Sequence, residues 1–233
     1  TVDASVPTVS IKTSSGFGLT SSVLLKSTNA LSGTNNNSLG VALKGGAKVS
    51  GSLSQVDSKT WKFTPDGRWI PGAAYVPFVA PSVTSNSSGI VAVGDNGARR
   101  PSGLVDSKSG AMKKIDGDFN WSTRSASDAI GKSYVATKHQ ASSNNRPAVT
   151  VKFGGTSVSL VACRSSANGF ADIYIDGTKV KSVDLYKSVS SCRNVWSKSG
   201  LTDDVHTLKI LVTGKKNSDS SGTYVGIDAV KAG

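Results

Sequence analysis

The chain has 233 residues, enough for one large β-domain or for two domains of ordinary size. Its 15 acidic residues are all aspartate, and 27 lysines and arginines leave a net charge of +12. No apolar run approaches the roughly 18–20 residues of a membrane span, so we expect no membrane insertion. The basic charge favours anionic partners. However, the sequence contains no motif for specific nucleic-acid recognition.

Composition and periodicity predict an all-β protein, since Ser, Thr, Val, Gly and Asn favour strands and turns. No long window repeats apolar residues at helical spacing. In the first half we predict strands over residues 7–13, 21–28, 39–45, 48–56, 60–65, 73–82 and 89–95. Short strands joined by polar turns are typical of an immunoglobulin-type sandwich, with Trp61, Phe63 and Tyr75 packed between its sheets.

Residues 41–79 resemble the bacterial Ig-like domains of secreted and surface-layer proteins. The matching features are Val49 through Leu53, the run from Trp61 to Pro65, Gly72 and Tyr75. The resemblance implies an N-terminal Ig-like β-sandwich over residues 1–111. Residues 96–117 mix Gly, Ser, Pro and charge without periodicity, which predicts a linker at the boundary.

The second half predicts eight strands, with cores near residues 133–138, 148–153, 157–163, 171–176, 179–186, 192–197, 205–213 and 223–231. Asp176-Gly177 predicts a two-residue hairpin turn between two of them, because Gly tolerates a positive φ. Eight antiparallel strands in a segment of this length fit a jelly roll.

The second half also resembles a known family of extracellular modules. The segments that carry the likeness are "IDGDFNWST", "AVTVKFGGTSVSLVAC", "GFADIYIDGTKVKSVDLY", "GLTDDVHTLKILVTGKKN" and "SSGTYVGIDAV". They follow one another as in the galactose-binding-like jelly-roll modules of secreted bacterial enzymes and surface proteins. The resemblance implies an eight-stranded jelly-roll module of the carbohydrate-binding type over residues 112–233.

Cys163 and Cys192 each lie at the edge of a predicted strand. There is no C-x-x-C spacing and no nearby histidine pair, which argues against a metal site. A disulfide would close a loop of about 30 residues and stabilise the fold by roughly 3–4 kcal/mol. The alternative is two unpaired buried thiols. A disulfide would place the protein outside a reducing cytosol, as a secreted or cell-surface protein.

The sequence does not predict an enzyme. A Ser-His-Asp triad needs its three groups held together, and no G-x-S-x-G elbow occurs. Most aspartates, including Asp66 and Asp176, lie in turns, where they hydrogen-bond backbone amides. The family resemblance assigns His206 to structural sheet. His139 lies at a strand end and could face a ligand.

The resemblance also implies a structural Ca²⁺ where the first and last strands of the module meet. Calcium needs six to eight oxygen ligands, of which one or two are charged. Asp228 matches the family's aspartate in the last strand, and Asp116 or Asp118 lies at the start of the module. We assign Asp228 and Asp118 as ligands. The alternative is that Asp228 caps a backbone turn or pairs with a lysine.

A sugar-binding surface combines an aromatic ring with a few hydrogen-bonding side chains. Trp121 and Trp196 are assigned to the protein interior. The candidate ligand-binding residues are Tyr186, Tyr134, Arg164, Asn168 and His139. The partner would be a polysaccharide or glycan, neutral or acidic, tethered by a fragment of a larger secreted enzyme or surface protein. The alternative is an adhesin or phage-fibre segment that binds an anionic cell-envelope polymer or a host protein.

Overall fold

The computed structural model describes residues 6–85, 91–93, 98–140 and 142–233. In these residues the chain is all-β, as predicted, with one short 3₁₀ turn at Ile130–Lys132. The strands are β1 (Thr8–Ile11), β2 (Val23–Ser27), β3 (Leu31–Ser32), β4 (Leu39–Leu43), β5 (Gly51–Asp57), β6 (Thr60–Pro65), β7 (Tyr75–Val79), β8 (Thr84–Ser85), β9 (Ala92–Val93), β10 (Leu104–Asp106), β11 (Lys113–Ile115), β12 (Ser122–Ser125), β13 (Ser133–Thr137), β14 (Ala148–Gly155), β15 (Val158–Arg164), β16 (Phe170–Ile175), β17 (Thr178–Asp184), β18 (Ser191–Lys198), β19 (Asp204–Val212) and β20 (Val225–Ala232). No described segment forms a helix with the length and apolar character needed to cross a membrane.

The chain divides into two compact units. Unit 1 comprises Thr1–Trp69 and Ala73–Ser102, and unit 2 comprises Ile70–Gly72 and Gly103–Gly233. The division therefore falls between residues 102 and 103, whereas composition placed it at 111/112. Two strands of unit 2 explain the difference, since β10 pairs with β20 and β11 pairs with β14. The linker interpretation of residues 96–117 is wrong for these two strands, whose short polar sequences carry no alternating pattern.

Unit 1 has a main sheet of order β5-β6-β2-β1-β9 and two separate strand pairs, β4 with β7 and β3 with β8. In β2, Val23 and Leu25 are buried while Leu24 and Lys26 are exposed. This alternation is the signature of a sheet with one packed face. The strand predicted over 89–95 corresponds to β9, and residues 89, 90, 94 and 95 lie outside the described part of the chain.

Aromatic side chains fill the interior of unit 1. The ring of Trp69 packs edge-on against Tyr75 at 4.8 Å and against Phe17 at 5.5 Å between centroids. Its indole Nε1 donates to the carbonyl of Ser21 at 2.7 Å, which satisfies the polar atom of a buried tryptophan. Trp61, Phe63 and Tyr75 are at most 4% exposed, so the prediction that they pack in the interior is confirmed.

Unit 2 is built from two antiparallel sheets. One has the order β12-β13-β20-β15-β18, with β10 also paired to β20, and the other has the order β11-β14-β19-β16-β17. Their inward side chains form the interior of the unit, and those buried to 2% or less include Val135, Val149, Val151, Phe153, Leu160, Ile173, Leu208, Ile210 and Ile227. All eight strands predicted in this half are present, each within two residues of its predicted ends. Three short strands, β10, β11 and β12, were missed.

The hairpin of β16 and β17 shows how the sequence sets local geometry. Its two turn residues, Asp176 and Gly177, have φ values of 49° and 82°. Positive φ at both positions is the type I′ geometry, whose twist matches that of the flanking strands. Ile175 and Thr178 are consequently directly opposite each other, and the predicted turn is confirmed.

Candidate functional site

At one end of unit 2, three loops are hydrogen-bonded into a single surface, which we call the loop rim. It consists of residues 164–169, 185–187 and 215–224. The backbone amide of Ser221 donates to Ser166 O at 2.9 Å, and that of Gly169 donates to Tyr224 O at 2.9 Å. The amide of Lys187 donates to Ser165 O at 3.1 Å. These bonds hold the rim in one conformation before any ligand arrives, which lowers the entropic cost of binding.

Tyr186 and Arg164 are the predicted residues that lie on the rim with accessible surface. Both are half-buried. Tyr186 is fixed by a bridge to Ser165 and by its amide, which donates to Asp184 Oδ1 at 2.9 Å. Arg164 Nε is buried and has no hydrogen-bond partner among the described residues. A guanidinium with an unsatisfied donor therefore lies one residue from the bridge that holds the tyrosine.

Asn168 also lies on the rim, but its side chain is committed to the protein. It is 6% exposed, donates through Nδ2 to Cys163 O at 2.8 Å and accepts from Ser165 Oγ at 2.5 Å. These bonds shape the turn that begins after β15. Its predicted role as a ligand contact is therefore corrected to that of a positioning residue.

His139 is likewise buried rather than presented to a ligand. Its side chain is 0% exposed, and Nδ1 lies 2.6 Å from Asp118 Oδ2. Its Nε2 is buried and has no hydrogen-bond partner in the part of the chain that the structure describes. The polar sequence around it, "ATKHQASSNN", suggested an exposed loop. His139 instead lies two residues beyond the end of β13 in a buried position. Its assignment as a ligand contact is therefore corrected.

Tyr134 lies on β13 directly opposite Arg124 on β12. It is half-buried, and its ring packs so closely over Gly226 that a Cβ there would lie 3.0 Å from ring atom Cε2. Trp121, which the sequence assigned to the interior, is half-buried and donates through Nε1 to Ile115 O at 3.0 Å.

The disulfide between Cys163 and Cys192 is present, as predicted. The two residues are directly opposite each other on β15 and β18. Cys192 is also fixed by its amide, which donates to Asp128 Oδ2 at 2.7 Å. The bridge thus joins the edge strand β18 to the sheet immediately below the loop rim.

The two predicted calcium ligands do not lie together. Asp118 accepts hydrogen bonds from Ser143 Oγ at 2.5 Å and from the amide of Gln140 at 3.0 Å. The bond from Ser143 is the main cause that holds the pKa of Asp118 below 3.8, and the effects of Gln140 and His139 add to it against the opposing effect of burial. Asp118 is therefore engaged in its own loop, and its assignment as a partner of Asp228 is corrected.

Asp228 is completely buried on β20, with both carboxylate oxygens within 3.1 Å of the amide of Ile130. Burial is the main cause that raises its pKa above 3.8, and the neighbouring carboxylates of Asp106 and Asp128 raise it further. The hydrogen bond from the amide of Ile130 and the charge of Lys231 act in the opposite direction and lower the pKa of Asp228. Burial therefore disfavours the free carboxylate and favours the binding of a proton or a cation.

The charge around Asp228 favours a cation, because Asp106 and Asp128 add negative charge near its carboxylate. Asp106 ends β10, the first strand of the main part of unit 2, and Asp228 lies on the last strand, opposite this region. Carboxylates are ligands that calcium prefers, but among the described residues Asp106 and Asp128 do not join Asp228 in a group of ligand atoms within 4.8 Å of one another. Sulfur atoms of Cys163 and Cys192 also lie within 4.8 Å of the Asp228 carboxylate. They belong to a disulfide, so they are not the thiolates that bind soft metals.

The arrangement of Ser143, Asp118 and His139 is not that of a serine hydrolase. Ser143 donates its hydroxyl proton to Asp118 rather than to the histidine. A nucleophilic serine needs the histidine as its base, with the aspartate behind it. These three residues instead tie the 138–145 loop to the segment that leads into β12.

Four further side chains at the same end of unit 2 were not found from the sequence. They are Phe119, Arg124, Lys138 and Tyr224, which come together in a set of cation–π contacts. Up to 105 positions separate them along the chain, from 119 to 224, and no local motif connects them. The structure brings them together because Lys138 and Tyr224 flank β13 and β20, which pair.

No protein-family model matches the chain, and no curated protein sequence matches it. Among solved structures, a xanthan lyase from Paenibacillus matches over 91% of this chain, with 13% identity and a TM-score of 0.44. The chain spans only 19% of the length of that lyase.

Two isolated modules match over 55% of this chain. One is the carbohydrate-binding module CBM36, in a complex with calcium and xylotriose, with 14% identity, a TM-score of 0.35 and 97% of its own length covered. The other is a family 35 carbohydrate-binding module from Clostridium thermocellum, with 15% identity, a TM-score of 0.34 and 95% of its length covered. Identities and TM-scores this low support no conclusion about ligand or activity.

Proposed function

We propose that this protein is a non-catalytic, extracellular glycan-binding fragment that binds through the loop rim of unit 2. In this proposal unit 1 is an Ig-like spacer and unit 2 a jelly-roll module. Together they tether a larger secreted enzyme or surface protein to a polysaccharide. A tethered weak binder raises the local concentration of substrate near its neighbouring domains without a new contact at their active sites.

The observation that carries the proposal is the position of Arg164 and Tyr186 on a pre-organised rim, where Ser165, the neighbour of Arg164, forms a bridge with Tyr186. A half-buried tyrosine offers a ring face for a sugar's apolar side, and the accessible part of the half-buried Arg164 side chain suits the sugar's hydroxyls. The network of backbone hydrogen bonds between the rim loops keeps both in place. The disulfide supports an extracellular location, since such bonds persist in oxidising compartments.

We expect Tyr186→Ala and Arg164→Ala each to weaken glycan binding about tenfold, equivalent to about 1.4 kcal/mol. The measurement is a glycan array followed by isothermal titration on the best neutral and acidic ligands. Tyr174→Ala is the matched control, because Tyr174 is also a half-buried tyrosine but lies on β16 outside the rim. Wild-type protein that binds no neutral and no acidic glycan at high concentration would refute the proposal.

A second candidate, adhesion to an anionic cell-envelope polymer, is favoured by the net charge of +12. It differs from glycan recognition in its salt dependence, because about 0.5 M salt screens exposed charge contacts. Capture of the protein by whole cells that vanishes at this salt, together with a silent glycan array, would favour adhesion.

The proposal includes a structural calcium held by Asp228, with Asp106 and Asp128 as neighbouring carboxylates. Bound calcium would offset most of the negative charge of the three carboxylates and hold the first and last strands of unit 2 together. The protein itself positions the Asp228 carboxylate, since the amide of Ile130 donates to its two oxygens.

We expect added calcium to raise the melting temperature of wild-type protein but not that of Asp228→Asn. In EDTA, Asp228→Asn should be at least as stable as wild type at pH 7, because the amide removes a charge that burial disfavours. Asp118→Asn is the control and should retain the calcium response, since Asp118 is engaged by Ser143 and Gln140. Scanning calorimetry with calcium and with EDTA decides the question, and a wild type indifferent to calcium would contradict the proposal.

A further inference from the structure

Two cations of unit 2 converge on one tyrosine ring beside the loop rim. Arg124 Cζ lies 4.6 Å and Lys138 Nζ 5.7 Å from the ring centroid of Tyr224. Lys138 Nζ also lies 4.6 Å from the ring centroid of Phe119. We call these four residues the cation–aromatic cluster. Aromatic faces attract cations electrostatically, so the rings hold both charges in place.

The backbone fixes the members of the cluster relative to one another. Lys138 follows the last residue of β13 and Tyr224 precedes the first residue of β20, and those two strand-end residues, Thr137 and Val225, are paired. Thr137 Oγ1 donates to Phe119 O at 3.0 Å, which ties the fourth member to the same strand end. The cluster is therefore part of the sheet framework rather than a chance contact of mobile side chains.

A second tie joins the cluster to the loop rim. Thr223, which belongs to the rim, donates through Oγ1 to His139 O at 3.2 Å. Tyr224 belongs to both the rim and the cluster, so the two form one continuous surface. A glycan that contacts Tyr186 and Arg164 thus lies on the same surface as the two cations.

The structure shows no acidic partner for either cation among the described residues. Asp118, the acidic residue next to Phe119 in sequence, accepts from Ser143 and Gln140 and lies against His139. Arg124 is exposed and Lys138 half-buried. Two fixed positive charges at one surface without a carboxylate of the protein form a site for an external anion.

We propose that the cation–aromatic cluster recognises the carboxylate of an acidic sugar, so that the glycan of the proposed function is one that contains uronate residues. The inference rests on that function and assigns its ligand class. A planar guanidinium donates two parallel hydrogen bonds to a carboxylate, and the ammonium that lies over the same tyrosine ring adds a point charge. Two cations suit one such group, whereas a nucleic-acid backbone needs a longer row of basic residues.

The test compares tri-galacturonic acid with neutral galactotriose by isothermal titration. We expect wild type to prefer the acidic trisaccharide, and Arg124→Gln and Lys138→Gln each to weaken its binding roughly tenfold while binding of the neutral sugar is unchanged. Lys209→Gln is the matched control, because Lys209 Nζ lies 5.9 Å from the ring centroid of Tyr174, outside the cluster. It should bind both sugars as wild type does.

The outcomes separate the inference from the function on which it rests. Binding of the neutral sugar with no preference for the acidic one, or variants that bind the acidic sugar as wild type does, would overturn the inference and leave the glycan-binding proposal standing. Polyphosphate binding that matches the acidic sugar and is lost in the same variants would overturn it as well, since the cluster would then be a general anion site. Binding of neither sugar, with a silent glycan array, would remove the proposed function itself.

Discussion

Loss of the Cys163–Cys192 disulfide is expected to lower the free energy of unfolding of unit 2 by about 3–4 kcal/mol. The cysteines are 29 residues apart in sequence, so reduction opens the loop between them. The unfolded chain then gains conformational entropy, which lowers the stability of the folded state. The structural position adds to this effect. Strand β18 lies at the edge of its sheet and, among the described strands, pairs only with β15, while the amide of Cys192 also donates to Asp128. Without the disulfide, we expect β18 to detach before the rest of the unit unfolds.

The double variant Cys163→Ala/Cys192→Ala tests this prediction in urea, with the fluorescence of Trp196 on β18 as a local probe. Wild type treated with dithiothreitol should match the variant, and dithiothreitol should leave the variant unchanged. This control separates the disulfide from side effects of the reductant. Equal unfolding midpoints for oxidised wild type and the variant would show that the bridge contributes little. Hydrogen exchange confined to β18 would then reveal whether the edge strand is held by other contacts.

The sequence predicts the longer strands of unit 2 because their patterns are strong. In β19, Leu208 and Ile210 are buried while Lys209 between them is exposed, and this alternation is visible without a structure. In contrast, β12 consists of Ser122–Ser125, whose four residues are all exposed, so no apolar pattern marks it. Its pairing with β13 depends on neighbours distant in sequence, which periodicity does not register.

The candidate site likewise contains features that the sequence predicts and features that it does not. Cys163 and Cys192 could be paired from the sequence because each lies at a strand edge and no other cysteine competes. The buried state of His139 could not be predicted from the sequence, since its neighbours in the sequence are polar. The cation–aromatic cluster depends on the pairing of β13 with β20, whose members are some 90 residues apart. Long-range pairing of this kind is the information that one sequence alone does not supply.

A pH-dependent contribution of His206 to stability is the second large effect we expect. The imidazole is buried, with Nδ1 2.7 Å from Asp176 Oδ2 and Nε2 3.0 Å from Thr202 O. Both partners are acceptors, so the doubly protonated ring satisfies both. Burial lowers the pKa of His206, but the bonds to Asp176 and Thr202 and the charge of Asp204 outweigh it and raise the pKa above 6.5.

The partner Asp176 shifts in the opposite direction. Burial raises its pKa, but the hydrogen bonds with His206 and with the amide of Thr207 outweigh this and bring the pKa below 3.8. Because the folded pKa of His206 is raised, its contribution is complete below 6.5 and is lost as pH rises through the folded pKa. Because the folded pKa of Asp176 is lowered, its contribution is complete above 3.8 and is lost as pH falls through the folded pKa.

The pair should therefore stabilise unit 2 most between pH 3.8 and 6.5, by about 1–2 kcal/mol once the half-exposed position of Asp176 is allowed for. His206→Gln should lose this amount at pH 5.5 and progressively less as pH rises toward 9, measured by urea unfolding. Asp176→Asn is the matched variant, since Asn tolerates the positive φ of the turn and can still accept from the amide of Thr207. It should remove the same pH dependence. A wild-type stability that stays flat from pH 5.5 to 9 would show that the pKa of His206 is the same in the folded and the unfolded protein, and that the contact between the hairpin turn and β19 does not depend on its charge.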